Sequence, residues 1–472
     1  MNRTRISWLI FTILLGTALP GLLLSQLSAS RGAQCTVDGA GGAMYLTVQE
    51  AVADTTCLDI TVAAGVYTGQ INLSRPVTIT GAGPDLTIFD GTGVGSAVHV
   101  TGNPVTLSGV SIQHGLNHAL NVNTSGFLHL QNGAIRNTFV GSDSAGVQNI
   151  GTLWLEGSAV YSNTAEGRGA GIWNSGILTI SHSLLYDNHA IDNAGGAIIQ
   201  SAGRIAVFDS RLFGNTTDHG AAFYIADGDF FMQRTEVYSN SANQVAGLSL
   251  YFGSEGDRAE VHESSFYGNH STGSASAISL INYNAFTITN STISSNTALA
   301  AAGFYATGTD VYMDHVTVAY NHADSRGGIV AGSASNAFVI RNSLVAHNSS
   351  NAGSYPDCWG TFTSLAGNLI GNVGVLDQCM GFGAGDLVGS DSVPIDAGLL
   401  PLADNGGGLL THSLQASSPA IDAVLGACLA TDQRGANRPV DGDGDMTALC
   451  DSGAYEYLGK LYQVFLPVVT RP

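Results

Sequence analysis

The chain has 472 residues, of which 44% are apolar and 11% are charged, and its formal net charge is −20. A protein whose main surface binds nucleic acid carries a basic face, so this charge excludes nucleic acid as the principal partner. A normal apolar content with few charges also argues against a disordered chain. Lys460 is the only lysine, so we expect no chemistry that needs a lysine nucleophile in the body of the protein.

Residues 1–33 have the pattern of a signal peptide. Arg3 and Arg5 precede an apolar run over residues 6–27, and small residues follow it. This order is typical of an export signal that is removed, although the length of the run leaves an uncleaved anchor as the alternative. We therefore expect an extracellular or cell-surface protein, with no transmembrane helix in the mature chain because no later segment is long and apolar enough.

Six cysteines lie near the two ends of the chain, and none lies between residues 58 and 357. Disulfides are the usual state of cysteines in an exported protein. Six cysteines allow fifteen pairings, but their clustering favours three local bridges. The predicted bridges are Cys35 with Cys57, Cys358 with Cys379, and Cys428 with Cys450.

A short unit that ends in asparagine recurs through the middle of the chain at intervals of about 26 residues. Apolar residues alternate with polar ones before each asparagine, and small or polar residues separate the alternating runs. This period indicates strands and not helices. Each unit contains three short strands joined by corners that do not reverse the chain, which predicts one coil of a parallel β-helix. About eleven to twelve such coils are expected in all.

The recurring asparagines have a structural explanation. An amide at the same corner of every coil can bond to the amides above and below it, and it can satisfy backbone groups of the corner. A row of Ser or Thr five residues earlier is expected to act similarly, and glycines are expected to open the remaining corners. The predicted ladder comprises Asn137, Asn163, Asn188, Asn215, Asn240, Asn269, Asn296, Asn321 and Asn348.

The two ends of such a solenoid expose strand edges and need caps. Residues 44–54 have the pattern of a short amphipathic helix, which we expect to cover the N-terminal end beside the Cys35–Cys57 bridge. The residues after 460 form one apolar stretch that is too short for a membrane helix and looks like a single strand or a sorting tail.

Three parts of the chain resemble known families. Residues 47–52, 60–67 and 77–91 resemble the opening of pectin-lyase-like right-handed β-helix proteins, and Gly-Gly-Ala-Ile at 195–198 is similar to repeats of polymorphic outer-membrane proteins. The C-terminal third resembles the module called choice-of-anchor Q. Its motifs are Gly-Asn-Leu-Ile-Gly at 367–371, Leu-Ala-Asp-Asn-Gly-Gly at 402–407, Ser-Pro-Ala-Ile-Asp at 418–422, Thr-Asp-Gln-Arg-Gly at 431–435 and Gly-Ala-Tyr-Glu at 453–456.

These resemblances imply an all-β, right-handed parallel β-helix without a cofactor, secreted or displayed at the surface, with an adhesin-like or unknown function. The expected division is a signal peptide at 1–33, an N-terminal cap with the first coils at 34–104 and central repeats at 105–350. C-terminal coils with the anchor-type module follow at 351–460, and an apolar tail ends the chain at 461–472.

Many parallel β-helices cut polysaccharides, and such enzymes place their carboxylates on neighbouring coils of one outer face. Asp209, Arg234 and Glu263 occupy the same position in three successive repeats. An exposed ladder of ion pairs is the simpler interpretation, and a saccharide site with two carboxylates flanking the arginine is the alternative. The arginine would keep both carboxylates ionised, which disfavours a general acid among them.

A second candidate site is an acidic stretch before Cys450. The stretch 441–445 begins like a calcium loop, but Met446 and Ser452 stand where an EF-hand requires Gly and Glu. The sequence therefore predicts at most a looser Ca²⁺ site. Its candidate ligands are Asp441, Asp443, Asp445 and Asp451.

We therefore expect a non-catalytic secreted or cell-surface β-helix that serves adhesion, binding or envelope structure. Polysaccharide or other components of the cell envelope are the expected partners, no cofactor is expected, and Ca²⁺ is the candidate ion. The alternative is a polysaccharide lyase or hydrolase of the pectin-lyase-like fold.

Overall fold

The computed structural model describes residues 33–191, 194–332, 336–352, 356–374 and 378–459. Within these ranges the chain forms a right-handed parallel β-helix with a single helix, as predicted. No helix among these residues is long and apolar enough to cross a membrane. All of the predicted signal peptide 1–33 except its last residue, and the whole apolar tail 461–472, lie outside the described residues.

Each central coil contains four strands and not the predicted three. One coil runs through Val147–Asn149, Thr152–Glu156, Ala159–Tyr161 and Thr164–Ala165. Equivalent strands of successive coils pair in parallel, which builds four sheets that we number 1 to 4 in this order. The fourth strand has only two residues, and a run of two residues is too short to show an alternating pattern.

Within the described residues, sheet 1 contains 13 strands. They are Ile71–Leu73, Ser96–Val100, His118–Val122, Val147–Asn149, Ile172–Asn174, Ile198–Gln200, Phe223–Ile225, Leu248–Tyr251, Ile278–Ile281, Phe304–Thr307, Ile329–Ala331, Cys358–Thr361 and Cys379–Met380. The two-residue strands of sheet 4 are Phe139–Val140, Thr164–Ala165, His189–Ala190, Thr216–Thr217, Ser241–Ala242, His270–Ser271, Thr297–Ala298, His322–Ala323 and Ser349–Ser350.

Sheets 2 and 3 contain 14 strands each in the described residues. The predicted number of eleven to twelve coils was too low because the first and last coils lack the recurring asparagine. Sheet 2 comprises Ala33–Val37, Cys57–Val62, Val77–Thr80, Val105–Ser108, Phe127–Gln131, Thr152–Glu156, Ile177–Ser181, Arg204–Phe208, Asp229–Gln233, Arg258–His262, Ala285–Thr289, Asp310–Asp314, Phe338–Arg341 and Thr363–Ser364. Sheet 3 comprises Gly65–Thr68, Thr87–Asp90, Ser111–Gln113, Ala134–Arg136, Ala159–Tyr161, Leu184–Tyr186, Arg211–Phe213, Glu236–Tyr238, Ser265–Tyr267, Thr292–Ser294, Thr317–Ala319, Leu344–Ala346, Leu369–Ile370 and Leu387–Val388.

The core is a continuous apolar column inside the coils. Alternate residues of each sheet 2 strand point inward, so Leu153 and Leu155 are fully buried and stack on the fully buried Leu178 and Ile180 of the next coil. The period of two that indicated strands therefore also decides which side chains fill the core.

The asparagine ladder lies at the corner between sheets 3 and 4. The side-chain amide of Asn188 donates to Oδ1 of Asn215 at 3.0 Å, and its backbone N–H donates to the same oxygen at 3.1 Å. The amide also donates to the carbonyl of Val160 in the preceding coil. Seven consecutive bonds between side-chain amides join eight of the nine predicted residues, all buried: Asn163, Asn188, Asn215, Asn240, Asn269, Asn296, Asn321 and Asn348.

Asn137 was wrongly placed in the ladder. It is exposed and adopts a φ of 52°, and the next residue, Thr138, is buried and donates its backbone N–H to Oδ1 of Asn163 at 3.2 Å. The residue before each ladder position has a left-handed backbone, which asparagine adopts more readily than most residues. Both neighbouring positions thus favour asparagine, and the sequence alone does not distinguish them.

The predicted row of hydroxyl residues forms a second ladder between sheets 2 and 3. The backbone N–H of Ser183 donates to Oγ of Ser210 at 3.0 Å, and the N–H of Ser210 donates to Oγ1 of Thr235. Each residue of this row, including Val316 in place of a hydroxyl residue, follows a residue with a left-handed backbone, and most of those are not glycine. They are Gly157, His182, Asp209, Arg234, Glu263, Asn290, His315 and Asn342.

A buried carboxyl group closes the asparagine ladder. Oδ1 of Asp357 accepts the side-chain amide of Asn348 at 2.9 Å and its backbone N–H at 3.0 Å, and Oδ2 accepts the N–H of Asn372. Burial raises the pKa of Asp357 to about 7, against the lowering effect of these hydrogen bonds.

The predicted N-terminal cap is present but shorter than residues 44–54. The helix spans Val48–Ala53, and Thr47 and Glu50 form a reciprocal capping box at its start. Its buried face packs on the first coils, and the Cys35–Cys57 disulfide lies beside it. The guanidinium of Arg75 donates to the carbonyls of Val52, Asp54 and Cys57 at the end of the helix.

After residue 389 the chain leaves the coils and folds back along the side of the β-helix. This segment, residues 390–459, is called the tail here; it contains the antiparallel pair Ala403–Asp404 and Leu410–Thr411 and the Cys428–Cys450 disulfide. It lies against sheet 3, where Gln433 accepts a hydrogen bond from Thr292 at 2.6 Å. The tail therefore covers one side of the rod.

The ladder makes a matched pair of substitutions informative. We expect Asn240→Asp to lower the free energy of unfolding by about 3 kcal/mol or more, because it removes a buried donor and adds a buried charge. Asn137→Asp, at an exposed left-handed corner, should stay within about 0.5 kcal/mol of the parent. Urea unfolding measures both changes, and equal effects at the two positions would contradict the ladder.

Asp357 should make stability depend on pH. Between about pH 4 and pH 7 the folded carboxyl keeps a proton that the unfolded chain has released, so its contribution to the free energy of unfolding falls as the pH rises. The slope approaches about −1.4 kcal/mol per pH unit inside this window. Unfolding titrations at several pH values should show that Asp357→Asn removes this component. An unchanged slope would show that the carboxyl titrates normally.

Candidate functional site

The predicted column of charges lies at the corner between sheets 2 and 3. Nε of Arg234 lies 2.6 Å from Oδ1 of Asp209, and a second guanidinium nitrogen lies 2.8 Å from Oδ2, so this pair is bidentate. Glu263 is farther away, with 3.8 Å between its Oε2 and the nearest nitrogen of Arg234. The neighbouring pair, Arg211 and Glu236, is bonded at 2.8 Å.

The left-handed corner explains why these side chains can be charged. Asp209, Arg234 and Glu263 have φ values of 47°, 46° and 49°, and the next residue of each coil turns its side chain into the hydroxyl ladder. The corner residue itself is left at the surface, where the Arg234 side chain is 45% exposed. Attraction to Asp209 through hydrogen bonds raises the pKa of Arg234. The column therefore has the geometry of an exposed ion-pair ladder.

Two cavities flank this column, and the tail forms one wall of each. The smaller has a volume of about 330 Å³ and lies between the column and residues 407–409, with Asp209 and Arg234 in its lining. The larger, of about 620 Å³, lies on the outer face of sheet 2 and is bounded by residues 429–431 and by Glu263. We call the larger cavity the sheet 2 cleft. The three predicted residues are thus neighbours, but they do not line one common cavity.

Aromatic side chains form the floor of the sheet 2 cleft. The rings of Phe208 and Phe231 lie 5.4 Å apart between centroids, and the ring of His262 lies 5.5 Å from that of Phe231. All three point outward from sheet 2 and are partly exposed. Their positions in the sequence carry no distinguishing signal, because outward-facing aromatic residues in a strand are common without a function.

Charged residues surround this floor. At one edge, Arg204 lies 3.3 Å from Oδ2 of Asp229, and the backbone N–H of Arg258 donates to the other oxygen of Asp229. Within the cleft, Glu260 lies 3.2 Å from Nε2 of His262, and this hydrogen bond lowers the pKa of Glu260. An ionised Glu260 can accept hydrogen bonds from a ligand, but it is not suited to protonate one at neutral pH.

The formal charge of the cleft is close to zero. Two arginines, Arg204 and Arg258, stand against the three carboxylates of Asp229, Glu260 and Glu263. Gln233 adds an amide, which donates to Oε2 of Glu263 at 2.9 Å. The cleft therefore offers apolar ring faces together with both hydrogen-bond donors and acceptors. It has no excess of positive charge.

The tail motifs form a buried network of charges and not a second cleft. The guanidinium of Arg438 donates to the carbonyls of Asp451 and Gly453 and lies 3.5 Å from Glu456. Arg434 donates to Oδ2 of Asp432 at 2.6 Å. Burial raises the pKa of Asp451 and Glu456 and lowers that of Arg438.

This network fixes the tail wall of the sheet 2 cleft. The carbonyl of Thr431, which lines the cleft, accepts a hydrogen bond from the amide of Asn290 at 2.8 Å. The residue that follows it, Asp432, belongs to the buried network. Loss of the network would therefore release one side of the cleft.

The predicted calcium ligands do not all come together. The carboxylates of Asp441 and Asp443 lie close to that of Asp422, with the three ligand atoms within 4.8 Å of one another. Asp445 is exposed outside this group and accepts the N–H of Thr447, and Asp451 is buried in the tail network. Asp422 was missed, and its only signal was its place in the Ser-Pro-Ala-Ile-Asp motif. Calcium binding stays a prediction.

The six cysteines form the three bridges expected from their clustering, Cys35–Cys57, Cys358–Cys379 and Cys428–Cys450. The described residues include no free cysteine.

Comparison with known proteins adds two structural likenesses. No family model matches the chain, and no curated protein matches it in sequence. A pectin methylesterase from carrot is similar over 51% of this chain and 84% of its own, with 15% identity and a TM-score of 0.37. A pectate lyase is similar over 90% of this chain and 97% of its own, with 12% identity and a TM-score of 0.38. Both likenesses concern the fold alone.

Two arginines allow the column and the tail network to be distinguished. We expect Arg234→Gln to change the free energy of unfolding by about 1 kcal/mol or less, because the ion pair that it breaks is partly exposed to solvent. Arg438→Gln should cost about 3 kcal/mol or more, because it leaves buried carboxylates without their partner. Thermal unfolding and limited proteolysis of the tail measure the difference. A larger effect at Arg234 than at Arg438 would contradict these assignments.

Proposed function

We propose that the protein is exported and acts as a non-catalytic binding rod at the cell surface, where the sheet 2 cleft holds an uncharged polysaccharide. The aromatic floor surrounded by charged groups is the observation that carries this proposal. Sugar rings have apolar faces that pack on aromatic side chains and hydroxyl groups that bond to carboxylates, guanidinium groups and amides.

The charge of the protein favours an uncharged polymer over an acidic one. The chain has a net charge of −20, and the cleft has no excess of positive groups, so a polyanion would be repelled at long range. A neutral polymer experiences no such repulsion and can use both the donors and the acceptors of the cleft.

A rigid solenoid suits an adhesin-like or envelope role. The ladder and the stacked core hold successive coils at a fixed spacing of about 4.8 Å, so the cleft stays formed without a ligand. The signal-like pattern of residues 1–33 and the resemblance of the tail to the choice-of-anchor Q module support placement at the cell surface. The resemblance of the repeats to polymorphic outer-membrane proteins supports the same placement.

The test is binding of the mature protein to soluble polysaccharides. We expect a neutral β-glucan, mannan or xylan to bind, as measured by affinity electrophoresis and calorimetry, and polygalacturonate to bind at least tenfold more weakly. Phe231→Ala should weaken the binding of the neutral polymer roughly tenfold, because it removes one stacking ring. Tyr305→Ala, on the outer face of sheet 1, is the matched control and should change binding less than twofold.

The same samples distinguish this proposal from its alternative. Shortening of any polysaccharide, with or without Ca²⁺, would favour a lyase or hydrolase, and loss of that activity in Arg234→Ala would place the active site at the charged column. Preferential binding of polygalacturonate, or binding that Phe231→Ala leaves unchanged, would overturn the proposed ligand or the proposed site.

A further inference from the structure

The Cys428–Cys450 disulfide lies where the tail covers the corner between sheets 2 and 3. At this corner the side-chain amide of Asn342 donates to the carbonyl of Ala427, the residue before Cys428. The carbonyl of Asn342 accepts the backbone N–H of Gly453, three residues after Cys450. Both ends of the disulfide are therefore held close to the same coil of the β-helix.

His315 of the β-helix is buried beside this disulfide. It occupies the left-handed corner position at which Arg234 is partly exposed three coils earlier, but its own side chain has no exposed surface. A ring nitrogen of His315 and the sulfur atoms of Cys428 and Cys450 all lie within 4.8 Å of one another. Among the described residues, no other disulfide belongs to such a group of three potential metal ligands.

The neighbouring carboxylate determines which nitrogen of His315 can bind a ligand. Nδ1 lies 2.7 Å from Oδ1 of Asp314, which is also buried, and Oδ2 of Asp314 accepts a hydrogen bond from Arg341. A carboxylate only accepts hydrogen bonds, so Nδ1 carries the hydrogen and Nε2 of the neutral ring keeps its lone pair. Nε2 is buried and has no hydrogen-bond partner among the described residues.

Two cysteine sulfurs and one imidazole nitrogen are a ligand set that zinc prefers. Zn²⁺ binds such groups in tetrahedral geometry, and sites with three protein ligands keep the fourth position open. A histidine that binds a metal usually donates its other N–H to a carboxylate or a carbonyl group, as His315 does to Asp314. The two sulfurs must first be released from each other. A reductant can reach Cys428, because it is partly exposed and follows the exposed residues 425–427.

We propose that Cys428, Cys450 and His315 form a redox-dependent site for Zn²⁺. A dithiol of the medium supplies two electrons and two protons, so the S–S bond breaks, two thiols form and the dithiol itself becomes a disulfide. Zn²⁺ then binds the two sulfurs and Nε2, and the two thiol protons pass to the solvent.

The bound ion joins the tail to the rest of the β-helix. Both cysteines belong to the tail, whereas His315 belongs to the coil beneath it, so the ion forms a link that the disulfide does not provide. Leu429, which directly follows Cys428, lines the sheet 2 cleft. The ion therefore keeps this wall in place after the disulfide has opened. The inference does not depend on polysaccharide binding, so either proposal can fail alone.

Zinc titration of the folded full chain, before and after reduction, tests the proposal. The chain is reduced with dithiothreitol, freed of it without oxygen, and titrated with Zn²⁺ in competition with a coloured chelator. We expect a single tightly bound Zn²⁺ per reduced chain and binding to the oxidised chain that is at least roughly a hundredfold weaker. Circular dichroism of the same samples should show that the zinc-bound reduced chain keeps its β-structure.

Two cysteine variants provide a matched comparison in the reduced state. Cys428→Ser removes one sulfur ligand and should abolish tight binding. Cys379→Ser removes an equally accessible class of cysteine, partly exposed and in the Cys358–Cys379 bridge, and should change the affinity less than about twofold. Asp314→Asn should weaken binding roughly tenfold, because the ring of the histidine loses the carboxylate that orients it.

A reduced parent chain without tight zinc binding, or equal binding by Cys428→Ser and Cys379→Ser, would overturn the proposal. Equal binding by the oxidised chain would also overturn it and assign the ion to the carboxylates of Asp422, Asp441 and Asp443. A reduced chain that loses its β-structure and does not recover it with Zn²⁺ would contradict the proposal as well.

Discussion

The structure depends on hydrogen-bond partners for the backbone N–H groups at the corners between sheets, where the chain turns without reversing its direction. Each coil turns from one sheet to the next through a left-handed residue, and the backbone N–H that follows it points along the helix axis toward the next coil. At one corner this group donates to an inward-facing amide, as Asn188 does to Asn215, and at the other to a hydroxyl, as Ser183 does to Ser210. Without these partners the corners would bury unpaired N–H groups, which costs more than the hydrogen bond itself contributes.

The different roles of the ladder residue and of the left-handed residue before it explain how much of the fold could be predicted from the sequence. Most ladder residues are amides or hydroxyl residues, so they recur and reveal the coil period. The residue beside each of them only has to adopt a positive φ, and its side chain faces solvent. Residues as different as Gly157 and Arg234 therefore occupy this position. Asn137 was misplaced because asparagine suits both demands, and the two-residue strands of sheet 4 were missed because they are too short to show a pattern.

The cleft could not be predicted for a different reason. Phe208 pairs with Gln233 and Phe231 pairs with Ala206, so the two rings meet diagonally across neighbouring strands and do not occupy one position of the repeat. The opposite wall comes from residues 429–431, which belong to a segment without the repeat and reach sheet 2 only because the tail folds back. The network of Arg438 with Glu456 that holds the tail joins motifs that the sequence showed as separate. Long-range docking of this kind leaves no periodic signal.

A constant coil spacing also limits what the outer surface can contain. Side chains at one position of successive strands lie about 4.8 Å apart, so like charges repel along a column while rings and opposite charges attract. Tyr186 and Phe213 accordingly stack with 5.1 Å between centroids, and Asp209 and Arg234 alternate in sign. The surface columns thereby help to hold the register that the internal ladders establish. A segment that folds over such columns changes the surface, and residues 429–431 do so where they form one wall of the sheet 2 cleft.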